Sequence, residues 1–143
     1  MLDEFRLVQR FRVPFADIDM LHHANNVAYI RWAETVRTDY FADVLGEKVG
    51  GERGMILAQM SIAYEKQIAY REYVAVGGRV AKIGGKSFRF LSEVWSTDRD
   101  ERCATIDCTL VAYDYVTKQT ILVPEAWRAK IAAFEGTPVE AAS

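Results

Sequence analysis

Half of the 143 residues are apolar and the charges nearly cancel, leaving a net −2; this size and composition suit one globular domain spanning residues 1–143. So weak a net field does not hold nucleic acid or an anionic membrane, which directs attention to a small-molecule partner, although a local basic patch can still bind phosphates. The opening MLDEFRLVQR is charged throughout, and nowhere do about 18 uncharged apolar residues run together, so a cytoplasmic protein without membrane insertion is expected.

From Phe5 to Phe15, the apolar residues Phe5, Leu7, Phe11, Val13 and Phe15 fall on alternate positions, broken once at Gln9. This predicts a half-buried first strand, with Pro14 at its exit. Asp17 to Asn26 shows no helical or strand period. Asn25 or Asn26 can cap a following helix by accepting from its free N–H groups. Val27, Ile30, Ala33, Val36, Tyr40 and Val44 then recur at three- and four-residue spacing, and Trp32, Phe41 and Leu45 widen the apolar surface beyond one stripe. Such a helix is enclosed on more than one side, and Gly46 supplies a stop because it reaches positive φ without penalty.

The glycine- and charge-rich GEKVGGERG reads as a connection that can border a site entrance. A second long strand is expected from Gly54 to Lys66, with Ile56, Ala58, Met60, Ile62 and Tyr64 on its apolar face. Three consecutive antiparallel strands follow at Tyr73–Ile83, Ser87–Thr97 and Arg102–Tyr115. Cys103 and Cys108 share the last of these, where five residues span roughly 16 Å and the odd spacing puts the two side chains on opposite faces, too far to bridge, so both read as core thiols. A short strand from Thr120 to Val123 leads through Pro124 into an amphipathic helix marked by Trp127, Ile131 and Phe134. GTPVEAAS reads as a frayed tail. The order of elements predicts an α+β protein whose antiparallel sheet wraps a long central helix.

DIDMLHHANNVAYIRWAE, followed by strands containing AYEKQ and GGKSF and by a final strand–Pro segment, resembles the hotdog-fold acyl-CoA thioesterases of the 4-hydroxybenzoyl-CoA thioesterase type. The resemblance runs from about Leu7 to Phe134. It rests on an Asp-x-Asp pair, a His four positions after the second Asp, paired asparagines, and a Tyr and a Glu on the helix. It implies the hotdog fold and a homodimer whose sheets join edge to edge, with active sites at that interface; assembly into a tetramer stays open. His22 departs from the pattern, because glycine usually stands there. The change alters either the loop backbone or the pocket.

Thioester hydrolysis needs a water or carboxylate to attack the carbonyl and donors to hold the oxyanion. Asp19 occupies the position of the family's catalytic acid and is the candidate general base or nucleophile; both roles need an ionised carboxylate. Asp17 reads as structural, a loop acceptor or ion-pair partner. His23 stands in the family's histidine position, as a hydrogen-bond donor to the carbonyl or as the holder of Asp19.

Asp17, Asp19, His22 and His23 carry the atoms of a zinc or iron site. Adjacent histidines usually point apart, however, and the chain has no others, so no metal is expected. The resemblance makes the backbone N–H of Asn26 the oxyanion donor, at a helix end where N–H groups are free. Tyr29 and Glu34 match supporting substrate-binding positions, although core packing also explains the first and a buried helix-surface ion pair with Arg31 or Arg37 the second. Lys86 and Ser87, beside Lys82 and Arg89 in the GGKSF turn, are where the resemblance puts the nucleotide; solvated turn charges are the alternative reading.

No cofactor is expected beyond coenzyme A as part of the substrate, and a carrier-protein thioester remains open. The competing functions are a hotdog hydratase or dehydratase on the same thioesters, and a non-catalytic acyl-binding subunit.

Overall fold

The alternating stretches become the long strands of an antiparallel sheet in the computed structural model, which describes residues 2–136 and 140–141. Strands β1 (Leu7–Arg12), β2 (Arg53–Tyr64), β3 (Tyr73–Ile83), β4 (Ser87–Ser96) and β5 (Glu101–Asp114) lie in the order β1-β3-β4-β5-β2. Neighbours in that order are antiparallel. The two-residue β6 (Gln119–Thr120) pairs with β5, and β7 (Glu140–Ala141) lies parallel to β3. The expected frayed tail is corrected at those two residues, since ladder pairing holds them; residues 137–139 and 142–143 lie outside the described residues. The first strand is shorter than its alternation suggested, because Phe15 enters a 3-10 turn, Phe15–Asp17, and is 75% exposed.

The sheet curls around α1 (Asn26–Asp39), which continues into a π-helical turn, Tyr40–Val44. Its last turn is closed by the Leu45 N–H donating to Tyr40 O, and Gly46 follows at φ 68°. The buried face consists of Ala28, Tyr29, Trp32, Ala33, Val36, Tyr40, Phe41 and Leu45. Val27 does not join it: at 53% exposure it stands in the first turn, uncovered by the sheet. Tyr40 packs edge-on against Phe90 and Phe134. α2 (Glu125–Glu135) begins after Pro124 and closes the core with Trp127 and Ile131. The Trp127 ring meets Phe41 edge-on, and its Nε1–H donates to Glu47 at 2.8 Å, which anchors the connection after Gly46.

Two adjacent glycines let the sheet be approached closely from both sides. Successive residues of a strand face opposite ways. A Cβ on Gly78 would sit 2.6 Å from Val36 of α1, and one on Gly77 would sit 2.6 Å from the Phe5 ring. Leu2, Phe5 and Ala75 thus form a second small cluster away from the main core. Cys103 and Cys108 are free and both buried in the main core. Cys103 is the extra residue of a bulge opposite Val94 and Trp95, which turns it inward despite the odd spacing from Cys108. Among the described residues no helix is long and apolar enough to cross a membrane.

Candidate active site

The loop between β1 and α1 is held rigid by its own backbone. Ile18 and Ala24 form an isolated antiparallel bridge. The His22 N–H donates to Asp19 O at 3.1 Å, closing a tight turn, and the Ala24 N–H donates to Ile68 O at 2.7 Å. His22 takes φ 69°, the left-handed region that favours glycine. The backbone keeps a glycine-like conformation, and the exposed His22 side chain is not among the residues lining the adjoining cleft.

Asp17 fastens the loop to the helix. Its carboxylate accepts from the Arg31 guanidinium at 2.6 Å and from the Trp32 Nε1–H at 2.9 Å, and its backbone O accepts from the Asn25 N–H at 2.8 Å. All three of its oxygens are engaged within the fold, and Asp17 is not among the residues lining the adjoining cleft.

Asp19, by contrast, lines an open cleft of about 420 Å³ at the N-terminus of α1, together with His23, Asn25, Asn26, Tyr29 and Tyr64. One carboxylate oxygen accepts from the Leu21 N–H at 2.8 Å, and the other from Asn25 Nδ2 at 3.0 Å. Asn25 is the helix cap, its Oδ1 accepting from the Val27 N–H at 2.8 Å. Asn26, as first helical residue, has a backbone N–H with no intrahelical acceptor, at the positive end of the helix dipole. Asp19, His23, Asn26 and Tyr29 are therefore brought together.

His23 Nδ1 lies 2.9 Å from Leu21 O. A carbonyl oxygen only accepts, so Nδ1 carries the hydrogen; the neutral ring then presents Nε2 as an acceptor, and Nε2 donates only when the ring is an imidazolium. Toward Asp19 the tie is through backbone, from the Asp19 N–H to His23 O at 3.3 Å. Tyr29 is buried and donates from its hydroxyl to Lys66 O at 3.2 Å. Burial pushes its phenol up to about 12, so it stays protonated at neutral pH.

Glu34 and the pair Lys86 and Ser87 lie elsewhere on the chain. Glu34 is eight residues along α1 from Asn26, about 12 Å of helix. It borders a different cleft of about 270 Å³ with Arg37, Phe41 and Val49. Its carboxylate is 3.6 Å from Arg37 and its side chain 65% exposed, so the ion pair expected to be buried is open to water at the glutamate. Ser87 is level with Val111, and the cleft end of β2, Tyr64, is level with Ala104; seven residues of β5 separate those levels by about 23 Å.

Sequence reasoning did not find Tyr64, Glu65, Lys66 or Gln67 as cleft residues, nor Asn25 as a partner of Asp19. Tyr64 donates from its hydroxyl to Asn26 O at 2.7 Å and meets Tyr29 edge-on at 5.2 Å, tying the end of β2 to the first turn of α1. The signal was AYEKQ, whose position at the end of a strand carries no period. Among the described residues no group of three or more His, Cys, Asp and Glu side chains is placed to hold a metal ion.

Residues 13–131 match the family model of the thioesterase-like superfamily. The chain belongs to that superfamily. Its curled sheet and central helix are the hotdog fold, shared with a thioesterase from Thermus thermophilus solved with coenzyme A and zinc. That protein is 28% identical, with a TM-score of 0.85 over 96% of this chain and 99% of the other. A Pseudomonas aeruginosa protein (22% identity, TM-score 0.84, 96% of each chain) and a thioesterase-superfamily protein from Jannaschia (24%, TM-score 0.82, 91% and 83%) share the fold. No curated protein matches. In this chain the groups gathered at the α1 N-terminus are a carboxylate, an uncommitted helix N–H and an imidazole.

Proposed function

We propose that this protein is an acyl-CoA thioesterase of the 4-hydroxybenzoyl-CoA thioesterase type, hydrolysing an acyl thioester to the free acid and coenzyme A. The observation that carries the reading is the Asp19 carboxylate, facing an open cleft beside the uncapped Asn26 N–H that begins α1. Membership of the thioesterase-like superfamily supports thioester hydrolysis, and the Thermus thermophilus protein solved with coenzyme A supports that carrier.

As general base, Asp19 takes a proton from water while the water oxygen bonds to the thioester carbon. The carbonyl oxygen becomes an oxyanion that accepts from the Asn26 N–H. The oxyanion then re-forms the carbonyl as the C–S bond breaks, the pair of electrons leaves with sulfur, and the thiolate takes the proton that Asp19 holds, which restores the carboxylate. As nucleophile, Asp19 bonds to the same carbon and expels the thiolate, and water cleaves the resulting anhydride. His23, with Nδ1–H tied to Leu21 O, assists the carbonyl or the departing sulfur as an imidazolium. Tyr29 shapes the cleft wall, Glu34 supports the acyl group, and Lys86 and Ser87 hold the phosphates of the carrier, whose arm must then run along the sheet. The donors present do not suit zinc: Asp17 is committed to Arg31 and Trp32, and no step passes through a metal.

The reading includes one hotdog domain, a cytoplasmic location and a homodimer. The free buried thiols suit a reducing compartment. β2 pairs with β5 alone among the described strands, and Leu57 on it is 45% exposed, which supports joining of two sheets at that edge.

The test is thiol release from aromatic, short-chain and long-chain acyl-CoAs by the wild type and by Asp19→Asn. Turnover of at least one substrate without change in acyl unsaturation is expected, with a loss of about 100-fold or more in the variant. A folded Asp19→Asn protein with a near-normal rate overturns the assignment. Bound acyl-CoA with no thiol released points instead to the acyl-binding subunit.

A further inference from the structure

Asn25 is the side chain that joins the two halves of the site, and its chemistry permits one orientation only. The amide oxygen accepts from the Val27 N–H at 2.8 Å and the amide nitrogen donates to Asp19 Oδ2 at 3.0 Å. Turning the amide over would set its oxygen against the carboxylate and its NH2 against an N–H, repulsive at both ends. The cap therefore fixes the direction of the NH2 group. The Asn25 backbone is held in turn by the bond from its N–H to Asp17 O.

The second Asp19 oxygen is aligned by the Leu21 N–H. Between them, these donors set the carboxylate plane and leave the remaining lone pairs for the cleft. Of the two, the Asn25 donor comes from the same side chain that caps α1, so a single amide sets the placement of the carboxylate relative to the free N–H of Asn26.

We propose that Asn25 is a positioning residue for thioester hydrolysis, aiming the Asp19 carboxylate at the carbonyl held by the α1 N-terminus. This rests on Asp19 being the base or nucleophile. A side chain that merely caps the helix would contribute stability alone. A positioning residue acts on the chemical step, so its loss appears in kcat with KM little changed.

Serine and aspartate both cap helices well, and each separates the two jobs. Asn25→Ser keeps an acceptor for the Val27 N–H and withdraws the donor from Asp19. Asn25→Asp keeps the cap and sets a second carboxylate against Asp19. The experiment measures kcat, KM and Tm for wild type, Asn25→Ser, Asn25→Asp and Asp19→Asn on one acyl-CoA that the wild type turns over.

Expected are a kcat about 10-fold lower in Asn25→Ser and about 100-fold lower in Asn25→Asp, with KM within about twofold and both Tm values close to wild type. If both Asn25 variants keep kcat within twofold while Asp19→Asn is inactive, the positioning role falls and the role of Asp19 stands. Equal losses that track a lowered Tm in the two variants also overturn it, in favour of capping alone. A near-normal Asp19→Asn enzyme removes the proposal together with the role of Asp19.

Discussion

Asp17 carries the frame of the site, and its removal has a cost that can be divided between its two partners. The Arg31 side chain is 54% exposed, and an ion pair so open to water contributes about 0–1 kcal/mol. The Trp32 indole N–H is different, because the residue is only 7% exposed and the ring is enclosed by Phe11 and Tyr29. Leaving that donor unpaired costs about 1–3 kcal/mol.

Asp17→Ala is therefore expected to lower the unfolding free energy by about 2–3 kcal/mol, and Asp17→Asn, which can still offer an acceptor, by about 1 kcal/mol or less. Trp32→Phe keeps much of the ring and deletes the donor. In that background Asp17→Ala should cost about 1.5 kcal/mol less than in the wild type, measured as a double-mutant cycle by urea denaturation followed by circular dichroism. An Asp17→Ala penalty that is unchanged by Trp32→Phe would refute the division, and an Asp17→Asn enzyme slowed as much as Asp19→Asn would place Asp17 in the chemistry.

His22→Gly should raise stability by up to about 1 kcal/mol and Tm by about 2–4 °C, since φ 69° penalises a side chain that glycine lacks. Turnover should stay unchanged, and a rate shift beyond tenfold would show that the imidazole takes part. Burial pushes the Glu72 carboxyl up, but the Ser96 hydroxyl, the Ala69 N–H and the Arg99 guanidinium outweigh it and hold the group below its ordinary 4.5. A group depressed in the folded state contributes stability above its unfolded value and loses it as pH falls through the folded one. The stability difference between wild type and Glu72→Gln should therefore be constant above about pH 5 and shrink below pH 4.5; a difference that does not change with pH would contradict it.

Strands β3, β4 and β5 were legible to within a residue or so because alternation is a local property and the sheet buries the face it predicts. The start of α1 was legible from its asparagines, and its end from Gly46, for the equally local reason that caps and stops are chemical requirements of helix ends. Val27 was misread because period alone does not say where the covering sheet ends. The short β7 was missed because a two-residue parallel pairing has no pattern to recognise.

The site was legible in part. Asp19 and His23 were singled out through their resemblance to a motif and both line the cleft, whereas Asn25 was read as a cap and Tyr64 was not given a role. Tyr64 reaches Asn26 across 38 positions, and Asn25 reaches Asp19 across six. Neither separation belongs to a helical or strand period. Such contacts arise where elements begin and end, because those are the places where backbone groups lack partners and side chains must supply them. The cleft is built from such places, the first turn of α1 and the last residues of β2, so the groups that line it are the ones periodicity passes over.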